Sequence, residues 1–125
     1  MNLRLMPDSL SVCQLAPDAE IPSWAHARGF TSVTRTAEEL SIVCAKAVVP
    51  GDVKQERGWR AFEVEGPLDF ALTGILAAIA TPLAEAGLSV FALSPFNTDY
   101  VLVKASQVDR ARAALSAAGH CITPA

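Results

Sequence analysis

From Trp59 onward the sequence moves back and forth between two hydrophobic rhythms, and the order of those switches leaves few folds open. Trp59 to Glu65 sets Trp59, Ala61, Phe62 and Val64 among charged residues, as a half-buried strand does. Gly66-Pro67-Leu68-Asp69 turns the chain, and Leu72, Ile75, Leu76, Ile79 and Leu83 then recur at helical spacing. Pro82 lacks an amide donor, which predicts a bend or an early stop, and Gly87 supplies the C-terminal break. Leu88 to Ser94 is a nearly continuous apolar strand. Pro95-Phe96-Asn97-Thr98 is a turn, and Tyr100 to Lys104 is another strand. Ser106 and Asp109 are spaced as a capping box with Asp in the place of Glu. Val108, Ala111, Leu115 and Ala118 mark a second helix ending at Gly119, and His120 to Thr123 is a last short strand.

This order, β-α-β-β-α-β, is the split βαβ plan of ferredoxin-like α+β sandwiches. The first half repeats the plan with eroded helices. Residues 9–15 alternate at period two, and Pro22 to Arg28 leave room for one helical turn. Residues 30–36 and Leu40 to Lys46 form a hairpin about Ala37-Glu38-Glu39, and Pro50 to Gly58 is a polar surface loop or degenerate helix. The expectation is two repeats, 1–58 and 59–125, each too small to bury enough surface alone. With 51% hydrophobic but only 6% aromatic residues, the core has to be built mostly from Ala, Val, Leu and Ile.

Composition also narrows the function. Such a high apolar fraction excludes a disordered chain. Ten Lys and Arg against thirteen Asp and Glu give a net charge of -3, and the basic residues are scattered. That argues against nucleic acid, which is bound through a basic patch. The uncharged stretch Phe70 to Ala84 is shorter than the roughly 20 residues a membrane span needs, and the N-terminus has no signal-peptide core. Cys13, Cys44 and Cys121 are odd in number and widely spaced, with no Cys-x-x-Cys pair. The expectation is free thiols, no metal site, no membrane and a cytoplasmic location.

Two stretches carry a family resemblance. Phe70-Ala71-Leu72-Thr73-Gly74-Ile75-Leu76-Ala77, followed by Leu88 to Val103 with its Asn97-Thr98-Asp99-Tyr100 turn, resembles the ACT domain. The chain looks closest to small tandem-ACT proteins of bacteria, related to the repeats of CASTOR arginine sensors and aspartate kinases. Ser32 to Thr36, Leu40 to Cys44 and Glu56 to Arg60 are similar to that family's first repeat. The resemblance implies a non-catalytic regulatory protein that binds a free amino acid or similar effector between repeats or subunits, with a homodimer as the expected assembly. It puts Leu72, Thr73, Gly74, Ile75 and Leu76 on one wall of a site and Ser94, Asn97, Thr98 and Asp99 on the other. Arginine-sensing relatives have an acidic residue near the helix start, where this chain has Leu72, so a smaller or apolar side chain is expected.

Physical chemistry agrees with such a site. A helix start offers unpaired amides and partial positive charge to a carboxylate, and Gly74 has no Cβ to obstruct it. Asp99, with Asn97, is a fitting acceptor for an ammonium group. Each residue also has a plainer role: Thr73 as an N-cap, Gly74 in close packing, Asn97 to Asp99 as turn formers. The alternative function is a structural or interaction module with a vestigial pocket. No catalytic constellation stands out, because His120 and Cys121 are adjacent and point to opposite faces of a strand. No cofactor is implied.

Overall fold

A computed structural model of the chain describes residues 1–66 and 73–124. Its elements are β1 (Asn2–Leu5), β2 (Leu10–Leu15), β3 (Thr31–Arg35), β4 (Leu40–Ala45), β5 (Gln55–Val64), α1 (Ile75–Glu85), β6 (Val90–Leu93), β7 (Tyr100–Lys104), α2 (Val108–Ala117) and β8 (Cys121–Thr123). They fall into an N-terminal unit, Asp8–Trp59, and a C-terminal unit made of Met1–Pro7 with Arg60–Ala125. Among the described residues no helix is long and apolar enough to cross a membrane.

In the N-terminal unit the strand order is β3-β4-β2-β5, with every neighbouring pair antiparallel. This is the ferredoxin-like order, and its two helices are reduced to 3-10 turns at Ser23–His26 and Lys46–Val48. Cys13, Leu40, Ile42 and Cys44 bury one sheet face against Ala25 and Val49, with Trp24 packed alongside. The Arg35 guanidinium ties down the β2–β3 connection by donating to the carbonyls of Pro17 and Ala19. Ser11 is fully buried, and its hydroxyl donates to Gln55 Oε1 at 2.7 Å. Gln55 Nε2 in turn donates to the Pro50 carbonyl at 3.0 Å, so one polar chain secures the 50–54 loop. β5 therefore starts at Gln55, four residues earlier than the expected strand at Trp59. Its polar start hid it. Gly58, at φ +83°, sits where the register with β2 shifts, and that bulge lets the strand run on.

The C-terminal unit has the order β8-β1-β5-β7-β6. β1 lies between β5 and β8, antiparallel to the first (Leu3↔Val64, Leu5↔Phe62) and parallel to the second (Leu3↔Ile122). Without it, the remaining strands follow the ferredoxin order 4-1-3-2. Residues 1–7, which the sequence reading grouped with the first repeat, pair here with the second. The reason is that Leu3 and Leu5 face its core, beside Phe62, Val64, Val101 and Val103. α1 contributes Ile79 and Leu83 to that core, and α2 contributes Val108, Ala111 and Leu115. The expected capping box does not form. Ser106 is taken up in a 3-10 turn, Ala105–Gln107, and Gln107 is the N-cap with no side-chain cap bond. Asp109 still sits in the first turn of α2, where a carboxylate favours the helix dipole.

Pro82 does not stop α1 early, since the helix continues to Glu85. A proline at 82 leaves the Ala78 carbonyl without its usual i+4 donor. His120 Nε2 lies 2.9 Å from that oxygen. A carbonyl can only accept, so Nε2 carries the proton and replaces the missing amide, while Nδ1 lies 3.0 Å from the Met1 nitrogen. His120→Ala is expected to cost about 0.5–1.5 kcal/mol, the net value of one such bond. In a Pro82→Ala background the residue-82 amide reaches the carbonyl itself, and the same substitution is expected to cost less than half as much. A double-mutant cycle by urea denaturation measures the difference.

Cys13 and Cys44 are buried in the N-terminal unit, whereas Cys121 is exposed. Burial pushes the Cys13 thiol up, and it raises Cys44 to about 11, with the neighbouring Cys13 adding to the effect. Thiol labelling of the native protein at pH 8 is therefore expected at Cys121, with the other two protected. Because the folded state holds Cys44 in its neutral form, its contribution to stability is full below pH 9. It is lost as the pH rises toward 11. A denaturation midpoint that stayed level from pH 8 to 11 would contradict this.

Candidate functional site

Among the described residues, the start of α1 has no side-chain cap. Gly74 is the N-cap, in a left-handed conformation at φ 77°, and Thr73 beside it is exposed. Among the described residues no side chain makes a cap bond to the helix. Its first backbone bond runs from the Ala78 amide to the Gly74 carbonyl at 2.9 Å. The amides of Ile75, Leu76 and Ala77 precede it and have no intrahelical acceptor. Among the described residues Gly74 is not in close packing, since a Cβ there would meet none of them within 4 Å. Its positive φ is reason enough for glycine. Ile75 and Leu76 pack against the core, so at this turn they offer backbone and not side chains. Leu72 lies outside the described residues.

The β6–β7 turn supplies the other residues. Ser94 and Asn97 are exposed, while Thr98 and Asp99 are half-buried. Thr98 Oγ1 donates to the Val64 carbonyl at 2.5 Å, and the Val64 amide donates to the Asp99 carbonyl at 3.0 Å. These two bonds fix the turn against the end of β5 and leave the Thr98 hydroxyl with a structural partner. The Asp99 carboxylate makes no hydrogen bond or ion pair among the described residues, so it does not close the turn as an Asx residue would. Next to it, Tyr100 donates to Glu63 Oε2 at 2.5 Å, and Glu63 pairs with Arg4 at 3.0 Å. Burial and that carboxylate push the Tyr100 phenol up to about 12.

Among the described residues no group of three or more His, Cys, Asp or Glu is arranged to hold a metal ion. A feature the sequence reading missed is a cleft of about 310 Å³ in the N-terminal unit. It is lined by Val12, Cys13, Gln14, Glu39, Ser41, Lys54, Gln55 and Glu56. Those residues come from three separate segments that only the β4-β2-β5 pairing brings together, so no local pattern announces them.

A family model describing the ACT domain matches residues 54–117. The chain belongs to the ACT-domain family. A second model, describing an N-terminal domain, matches residues 8–52. A crystallised protein of Agobacterium tumefaciens is 36% identical over 97% of this chain and 90% of its own, with a TM-score of 0.92. A Vibrio cholerae protein of unknown function is 19% identical, covers 94% of this ACT protein and 88% of its own chain, and has a TM-score of 0.76. The aspartate kinase of Clostridium acetobutylicum, described as an allosteric enzyme, shares the fold at 13% identity and a TM-score of 0.67. That match spans 90% of this chain and 33% of the kinase. No curated protein sequence matches significantly.

Proposed function

We propose that this ACT protein is a non-catalytic regulatory module that binds a free amino acid at the start of α1. The observation that carries the reading is the uncapped first turn, where three amides and the helix dipole stand ready for a carboxylate. In this account Thr73, Gly74, Ile75 and Leu76 receive the carboxylate through backbone groups. Asp99 accepts from the ammonium group with Asn97, and Ser94 and Thr98 complete that wall. Leu72 in place of an acidic residue disfavours a cationic side chain, so the ligand carries a small or apolar one. The protein acts in the cytoplasm as a homodimer, the commonest closed assembly.

Isothermal titration of protein stripped by unfolding and refolding, against the twenty amino acids, tests the proposal. Heat is expected with a small or apolar member of the set, and no heat with any of them contradicts it.

One observation favours a second reading, an interaction module with a vestigial pocket. Among the described residues β3 is paired on one side only, and Val33 on it is 40% exposed. Light scattering separates the two. An oligomer that ignores every amino acid, and is unchanged by Asp99→Ala, supports the second.

A further inference from the structure

The cleft in the N-terminal unit is lined by none of the residues assigned above and has its own chemistry. Glu39 and Glu56 put two carboxylates on its lining, Lys54 one ammonium group, and Gln14 and Ser41 an amide and a hydroxyl. The Lys54 ammonium and the Glu39 carboxylate make no hydrogen bond or ion pair among the described residues. The frame that holds them is regular backbone. The Gln14 amide donates to the Lys54 carbonyl at 3.0 Å, and Gln14 lies opposite Ser41 in the β2–β4 register. Glu39 and Lys54 therefore enter from either side of β2, on chains about two strand spacings, or roughly 10 Å, apart.

This arrangement selects by charge. A purely anionic ligand meets two carboxylates, and a purely cationic one meets Lys54. An apolar ligand leaves all three charges to be desolvated, which is costly. At about 310 Å³ the volume is at the small end of what ligand sites offer. We infer that the cleft is a second binding site, for a small dipolar molecule whose ammonium group faces Glu39 and whose anionic group faces Lys54. The spacing of the two chains suits a molecule whose charges are several bonds apart. The inference does not depend on the amino-acid site at α1.

The test is an amide-shift titration of the whole labelled protein with 6-aminohexanoate, with hexylamine and hexanoate as probes that each lack one charge. The expected result is saturable shifts at Gln14, Ser41 and residues 54–56, with each singly charged probe at least tenfold weaker. Glu39→Gln, at a half-buried position, and Lys54→Met, at an exposed one, are expected to weaken binding at least fivefold each. Absence of saturable shifts, equal binding of hexylamine or hexanoate, or variants that bind as the parent does would each overturn the inference. Shifts at 73–76 and 94–99 report the α1 site separately, so the failure of one site is distinguishable from the failure of the other.

Discussion

Replacing Leu3 with alanine is expected to cost about 2–5 kcal/mol of stability, a large share of the 5–15 kcal/mol that holds a typical domain folded. Leu3 is 1% exposed and faces Val64 on one side and Ile122 on the other. Its side chain joins Phe62, Ile79, Leu83 and Leu115 in one core, so truncation leaves a cavity between sheet and helices. Urea denaturation measures the loss as a shift in midpoint with little change in slope. Arg4, its neighbour on β1, is a control, because its ion pair with Glu63 is half-exposed. Arg4→Ala is expected to cost under about 1 kcal/mol. A Leu3→Ala midpoint close to that of Arg4→Ala would mean that β1 is not part of the core.

Leu3 also marks where sequence reasoning stops. The two helices of the second half were legible because each keeps one hydrophobic period over a full face, as Leu72 to Leu83 and Val108 to Ala118 do, and β6 and β7 as apolar runs bounded by turn residues. β1 is four residues long, with only Leu3 and Leu5 pointing inward, and so short a run carries no periodic signal. Its place depends on parallel pairing with β8, at the far end of the chain. The early start of β5 was hidden for a related reason. Gln55, Glu56 and Arg57 are polar, and their strand conformation comes from pairing with β2 across a bulge. His120 was noticed only as a neighbour of Cys121. Its partner, the carbonyl left open by Pro82, is 42 residues away. Of the candidate site, the glycine at the helix start and the Asn97 to Asp99 turn could be named from sequence. The absence of a Thr73 cap and the bond from Thr98 to Val64 are tertiary facts.

Asp99→Ala is expected to weaken amino-acid binding by about 1.5–3 kcal/mol, or roughly 10- to 150-fold, the range for a hydrogen bond to a charged group. The Asp99 carboxylate has no partner among the described residues, so its removal leaves no buried group stranded. Its backbone carbonyl keeps the bond from Val64. The fold should therefore survive, and a denaturation midpoint within about 0.5 kcal/mol of the parent is the accompanying expectation. Asp99→Asn is a sharper variant, since it retains the shape but loses the charge, and it is expected to fall between parent and alanine. Affinity unchanged in both variants would take Asp99 out of the site.

The most direct test of the central claim is a crystal structure of the protein with the amino acid that gives the largest heat in titration. The account predicts ligand density at the start of α1, its carboxylate on the amides of Ile75, Leu76 and Ala77 and its ammonium group on Asp99. Density confined to any other part of the molecule, with the first turn of α1 bare, would contradict it.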